Sequence, residues 1–145
     1  MIRDFPQRLA LTGAPGALLK RLDGIRQVVR METAERDPAY LVKVRQLPCI
    51  CCGMEPPGIE AAHVRMQSAA HGKRGGIGKK PADRWTIPLC GGPGGCHAEQ
   101  HESGELKFWH AVGLNPLYVC ERLYAQREDV VAMRAVILAA IAERR

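Results

Sequence analysis

Cysteine and histidine are the residues of this 145-residue chain best equipped for metal and proton chemistry, and the chain holds six of one and five of the other. The cysteines fall in two separated groups, Cys49, Cys51 and Cys52 and then Cys90 and Cys96, with Cys120 alone. Cys49-x-x-Cys52 together with Cys90 and Cys96 can supply four thiolates to one tetrahedral zinc ion. The long Cys90–Cys96 interval is filled by Gly91, Gly92, Gly94 and Gly95, which can loop out at small conformational cost. Zinc would then clamp two remote segments together and replace part of an apolar core. Three other readings stay open: a set of buried reduced thiols, Cys51 as ligand in place of Cys52, and thiol redox at Cys49-x-x-Cys52. The redox reading leaves Cys90 and Cys96 without a purpose. Cys120, placed mid-helix by the pattern, reads as a core thiol.

His97 and His101 are four apart in a predicted helix, so they share a face and can converge on one cation. His63 closes a predicted strand in Ala61-Ala62-His63-Val64-Arg65. A histidine base beside a divalent cation suits phosphodiester hydrolysis: the imidazole deprotonates water and the metal stabilises charge on phosphate and leaving oxygen. His97 directly follows Cys96, so a zinc knot would fix the direction of its helix.

The elements that must position these residues are readable from period and punctuation. Leu18, Leu19, Leu22, Ile25, Val28 and Val29 recur at helical spacing, weakened by Gly24. Asp37 as N-cap and Pro38 in the first turn open a helix over 39–47, which Pro48 ends. Residues 49–56 form a knuckle, 59–64 a short strand, 66–82 a long basic Gly-rich loop and 85–89 a second strand. A helix starts near Cys96, continues past a Ser103 cap and closes at Gly113. Asn115-Pro116 opens another to about Gln126. The last carries Val130, Val131, Met133, Val136, Ile137, Ala140 and Ile141, with Arg144 and Arg145 at its C-terminal end. Trp85, Trp109, Tyr40, Tyr118 and Tyr124 read as packing residues.

Composition is that of a globular chain, 46% hydrophobic and 25% charged, which excludes wholesale disorder and fibrous repeats. No apolar run suggests a membrane span. Gly13 and Pro15 break the N-terminal apolar stretch, and no cleavage site follows, so a cytoplasmic protein is the expectation. The net charge of +6 is concentrated: between Arg65 and Arg84 stand Arg65, Lys73, Arg74, Lys79, Lys80 and Arg84 against the single acid Asp83. Such a stretch can contact phosphates without regard to sequence, and Arg65 could hold the scissile phosphate or its neighbour.

Cys-x-x-Cys, Ala-Ala-His-Val-Arg and Pro-Leu-Cys…Cys-His together resemble the HNH, or ββα-metal, endonucleases. The closer likeness is to the phage and prophage branch that includes the recombination-enhancing, Ref-like nucleases, through Gly78-Lys79-Lys80-Pro81-Ala82-Asp83 and Pro88-Leu89-Cys90. It spans residues 41 to about 112 and leaves the N-terminal helix and C-terminal pair unexplained. The resemblance implies an α+β fold: a small ββα-metal core (39–113) with a four-cysteine zinc site, an N-terminal arm and helix (1–38) and a C-terminal helical extension (114–145). It implies His63 as general base and His97 as ligand of a catalytic Mg²⁺ or Mn²⁺, with His101 a second ligand or a phosphate contact. Cys49, Cys52, Cys90 and Cys96 match the structural zinc ligands. Two departures mark this chain. Ala62 stands where many members carry a metal-binding Asp or His, and the middle Asn that orients the base is missing. Asp83 and His101 are the residues left to take over.

The implied partner is DNA, with weak sequence preference or with recruitment by a recombinase or other phage protein. Membrane has no place in this reading. The rival is a non-catalytic, zinc-stabilised DNA-binding or adaptor module of phage origin. All these expectations share one arrangement: a thiolate-held ion staples a hairpin to a helix and gathers three imidazoles around one linkage.

Overall fold

Where apolar side chains cluster around two short extended runs, a hairpin can persist only if other elements cover it, because an isolated two-stranded ribbon is marginal in water. That is the arrangement seen in the computed structural model, which describes residues 35–73 and 80–144. Five helices and one antiparallel ribbon make up the described residues, a mixed α+β fold within a unit running Thr33–Arg145. The helix predicted over 18–30 lies outside the described residues, as do Arg74, Lys79 and Arg145.

Helix α1 (Pro38–Val44) starts as predicted. The Asp37 side chain accepts the Tyr40 backbone N–H at 3.0 Å and Pro38 occupies the first turn, a cap that contributes about 1 kcal/mol. It ends at Val44 rather than running to Pro48. Leu47 through Ile50 are instead buried under the ribbon, so burying the start of the knuckle outweighs another helical turn.

Strands β1 (Ile59–His63) and β2 (Thr86–Cys90) pair from Ile59 opposite Cys90 to His63 opposite Thr86. Every residue of β2 is buried, because α1, α2 and α4 all pack on this ribbon. One helix was expected over 96–113; there are two. Helix α2 (Cys96–Ser103) stops at Gly104, whose φ of +82° leaves the helical region, and α3 (Glu105–Val112) resumes at once. Ser103 is therefore not an N-cap; its hydroxyl donates back to Glu99 O at 2.7 Å. Gly113 closes α3 in the left-handed conformation, as expected.

Helices α4 (Pro116–Ala125) and α5 (Val130–Glu143) are capped by Asn115 and Asp129. Their Leu117, Val119, Cys120, Leu123, Met133, Ile137 and Ala140 join Tyr40, Val44, Ile87, Leu89 and Trp109 in one apolar core. The C-terminal helices thus share the core of residues 39–113. Trp85, Trp109 and Tyr40 pack as expected, whereas Tyr118 is exposed and carries Arg122 over its ring at 5.5 Å.

Ile87 has no exposed surface and sits opposite Ala62, one pair in from the His63–Thr86 end of the ribbon. Ile87→Ala should cost about 2–5 kcal/mol in chemical denaturation of the metal-replete protein. Leu106→Ala, at a side chain 72% exposed, should stay within about 0.5 kcal/mol.

Candidate metal centre and active site

The cysteine knuckle is shaped by its own backbone. The Cys49 N–H donates to Met54 O at 2.9 Å and the Gly53 N–H returns to Cys49 O at 2.8 Å. The Ile50 N–H donates to Pro88 O at 3.0 Å, which ties the knuckle to β2. Across from it the chain leaves Cys90 through the glycine run. Gly92 and Gly94 take φ of +82° and +73°. A Cβ on Gly95 would lie 2.5 Å from Gly91 O, so the glycines do absorb the long interval.

The outcome is that the ligand atoms of Cys49, Cys52, Cys90 and Cys96 all lie within 4.8 Å of one another. The Cys52 and Cys90 sulfurs are 3.7 Å apart. A tetrahedral ion with metal–sulfur bonds of about 2.3 Å requires sulfur–sulfur edges of about 3.8 Å, so the donors fit such an ion. A disulfide would need about 2.05 Å, and all six cysteines are free thiols. The converging set contains Cys52 rather than Cys51. The Cys96 N–H donates to Cys90 Sγ at 3.2 Å, the kind of outer hydrogen bond that stabilises a thiolate. The hydrogen bond from Cys51 drives the Cys49 thiol well below its ordinary range. Burial, by contrast, pushes Cys52 and Cys96 up. Cys120 is fully buried against Thr86 O and its thiol is pushed up by burial, in keeping with a core residue.

The knuckle is also braced from α5. Arg134 pairs with Glu55, and the Arg144 guanidinium donates to Ile50 O at 3.3 Å and to Cys51 O. Sequence reading assigned Arg144 only to a helix end; nothing local signals a partner more than ninety positions away.

The histidines are arranged in two pairs. At the Thr86 end of the ribbon, His63 Nε2 lies 2.9 Å from Asp83 Oδ1. At the Cys90 end, His97 Nδ1 contacts the Glu60 carboxylate, and its Nε2 lies 3.1 Å from His101 Nε2. Glu60 and His63 stand three positions apart on β1, so strand alternation turns them to opposite faces. Among the described residues no hydrogen bond joins His63 to His97 or His101. Hydrogen bonds thus join His63 to Asp83 and His97 to His101.

Each pair has defined chemistry. Asp83 is 2% exposed and accepts the Asp37 backbone N–H at Oδ2, 2.8 Å away. Burial opposes its ionisation, but the hydrogen bonds from His63 and Asp37 and the nearby Arg36 charge outweigh it and hold Asp83 below the ordinary carboxylate range. An ionised Asp83 can only accept, so His63 Nε2 carries the proton and Nδ1 is left as the basic atom. Burial lowers His63 below its ordinary value, with Lys80 and Arg36 acting in the same direction and Asp83 opposing. The imidazole is thus neutral near pH 7.

At the other end, a carboxylate behind His97 Nδ1 leaves Nε2 as the lone-pair atom, facing His101 Nε2, the arrangement typical of a metal-binding histidine. Two nitrogens at right angles and about 2.1 Å from one ion lie about 3.0 Å apart, close to the separation found here. Ala62 is fully buried in the core and offers no donor. Among the described residues the four cysteines are the one group of three or more converging ligands.

The basic residues divide. Arg65 and Lys80 are exposed, and the Arg65 N–H is held by both Glu105 oxygens at 2.9 and 3.0 Å. Lys73 was expected to contact phosphate, but it is buried and its ammonium donates to Met66 O at 2.6 Å. It braces the loop through the Ser68–Lys73 bridge. Arg84, also expected on phosphate, lies over the rings of Trp85 and Tyr124 at 5.4 and 5.3 Å, its Nε buried. The described start of the expected loop, residues 66–73, is pinned by His71, which pairs with Glu121 at 3.0 Å and meets the edge of Trp85.

Glu60, Arg36, Asp37 and Glu105 are the site residues that sequence reasoning missed. Glu60 alone carried a signal, an acidic side chain in an otherwise apolar strand. No family model matches this chain, and no curated protein or solved structure matches it significantly.

Cys90→Ala should abolish stoichiometric metal binding at the four-cysteine group and lower the melting temperature sharply; elemental analysis and thermal denaturation of the purified protein check both. A second expectation concerns pH. Both His63 and Asp83 titrate lower in the folded than in the unfolded chain, so the unfolded state binds more protons. Stability is therefore full above about pH 6.5, falls as pH drops through the folded value of His63, and falls again below about 3.8 as Asp83 protonates. His63→Gln should remove the first decline, seen as a flatter melting temperature between about pH 7 and 5.

Proposed function

We propose that this protein is a metal-dependent DNA endonuclease of the HNH type. The observation that carries the reading is the neutral His63, oriented through Nε2 by a buried, ionised Asp83. An imidazole held this way, with Nδ1 unencumbered, is equipped to take a proton from water. Asp83 does the orienting that the family assigns to an asparagine. Under this reading the four-cysteine centre binds Zn²⁺ as a structural ion, and His97 and His101 hold a catalytic divalent cation through their Nε2 atoms. That cation, when bound, supplies charge stabilisation to the phosphate and leaving oxygen. Glu60 fixes the His97 tautomer. Two imidazoles suit Mn²⁺ better than Mg²⁺, which prefers an oxygen shell.

Among the described members of the expected basic set, Arg65 and Lys80 are exposed and take the phosphate attraction, and Lys80 lies close enough to His63 for its charge to act on the imidazole. The sequence resemblance supports DNA as substrate and a phage recombinase as a recruiting partner. Among the described residues no helix is long and apolar enough to cross a membrane. A second reading, the non-catalytic zinc-stabilised adaptor, is favoured by buried Ala62, which removes one ligand of the family's cation site.

Supercoiled plasmid incubated with Mn²⁺ or Mg²⁺ separates the two. The nuclease reading predicts nicking that His63→Ala reduces by at least about 100-fold while DNA affinity in a gel-shift assay is unchanged. Binding without nicking by the unaltered chain would establish the adaptor. Lys80→Gln should weaken DNA binding for all sequences and flatten its salt dependence by about one unit of slope.

A further inference from the structure

Residues 35–37 lie outside the stretch that carries the family resemblance, yet they supply most of what holds Asp83. The Asp37 N–H occupies Asp83 Oδ2 at 2.8 Å, and Arg36 reaches Oδ1 at 3.4 Å, the same oxygen that meets His63. In return the Asp83 N–H donates to Glu35 O at 3.2 Å. Arg36 also donates to Pro81 O at 2.7 Å, which fixes the turn just before Asp83. From α4 the Tyr124 hydroxyl lies 3.3 and 3.4 Å from Glu35 Oε1 and Asp37 Oδ2 and closes the segment from behind.

A carboxylate free to rotate about its terminal torsion presents either oxygen at many angles. With Oδ2 occupied by a backbone amide and the Pro81 carbonyl tied to Arg36, this one cannot. We propose that Arg36, together with the Asp37 amide, is a latch for the general base: it holds the Asp83 carboxylate as acceptor of the His63 Nε2–H and thereby keeps Nδ1 as the proton-accepting atom. Arg36 touches no reacting atom; it is a positioning residue. The catalytic consequence rests on the nuclease reading above, whereas the latch itself is read on His63.

The charged groups that face His63 are Asp83 and Lys80 from the segment before β2 and Arg36 from the segment before α1. Removing Arg36 withdraws one of two cations that oppose imidazolium formation and loosens the carboxylate that selects the tautomer. Imidazole ¹⁵N spectroscopy of the full chain, with His63 assigned by comparison with His63→Gln, reads both effects. The unaltered protein should show a single Nε2–H tautomer. Arg36→Ala and Arg36→Gln should give a mixture of tautomers and raise the His63 midpoint by about half a pH unit. Arg36→Lys should restore part of the midpoint, since it keeps the charge, but not the tautomer, since a point ammonium lacks the guanidinium fork.

In nicking assays the acid limb of the pH–rate profile should move up with the midpoint, a loss of about threefold on that limb. Identical tautomer and midpoint in Arg36→Ala and Arg36→Gln would overturn the latch, whatever nicking does. Should Arg36→Ala not fold, Arg36→Gln and Arg36→Lys carry the same comparison. Absence of nicking by the unaltered chain would sink the nuclease reading and leave the spectroscopic comparison to decide the latch.

Discussion

Four sulfurs converging at one end of a two-stranded ribbon are the constraint on which the rest of this fold depends. Two five-residue strands cannot hold themselves together in water, and the glycine run after Cys90 adds entropy that folding must overcome. A dication held among the four thiolates would contribute on the order of 10 kcal/mol, more than any single apolar contact in the core. It would also fix geometry. Cys49 and Cys52 come from the knuckle, Cys90 ends β2 and Cys96 begins α2, so one centre sets the register between three elements. The Arg144 and Arg134 contacts from the C-terminal helix brace the same knuckle from outside.

From that clamp two consequences run in opposite directions along the ribbon. Cys96 is followed immediately by His97, so the start of α2 places His97 and His101 beside Glu60, near the thiol end. Five pairs of β residues carry the chain to the other end, where His63 meets Asp83. The second end does not depend on the ion alone. Asp83 is gripped by Asp37 and Arg36, and these in turn by the cap of α1 and by Tyr124. The His63–Asp83 pair is thus held by the segment before α1 and, through it, by α4.

Much of this was legible from residue type and spacing, because the features concerned are local. The capping pairs Asp37-Pro38 and Asn115-Pro116 act within one turn, and the four cysteines advertise themselves by chemistry that few other roles require. Both strands were found within one residue at each end. What escaped was non-local or competitive. Helix α1 ends early because burying Leu47 to Ile50 prevails over the local signal at Pro48. Ser103 looked like a cap because its type favours that position, yet Gly104 offers the positive φ that a break between two helices needs. Lys73 and Arg84 carry the same charge as their exposed neighbours, and only the packing of the loop on Trp85 and Tyr124 separates the braced from the free. The division of the histidines into pairs follows from the parity of Glu60 and His63 on β1, which is written in the numbering but acquires meaning only when their partners are known.

Under the proposed reading, Asp83 in place of an orienting asparagine has a physical account. An asparagine orienting the base would do so without charge, whereas Asp83 brings a full anion to an imidazole, which on its own would raise the affinity of His63 for a proton and spoil it as a base near pH 7. The chain counters that with burial and with the cations Lys80 and Arg36, and the balance falls on the side of neutral imidazole. Arg36 therefore serves both parts of the arrangement: as a hydrogen-bond donor it helps hold Asp83 in its ionised, accepting form, and as a charge it keeps His63 from protonating. Under the proposed reading, a carboxylate can orient the imidazole here because a guanidinium from outside the ribbon accompanies it. Ala62 is fully buried in the core and offers no donor. Under the proposed reading, cation binding then falls to His97 and His101 backed by Glu60.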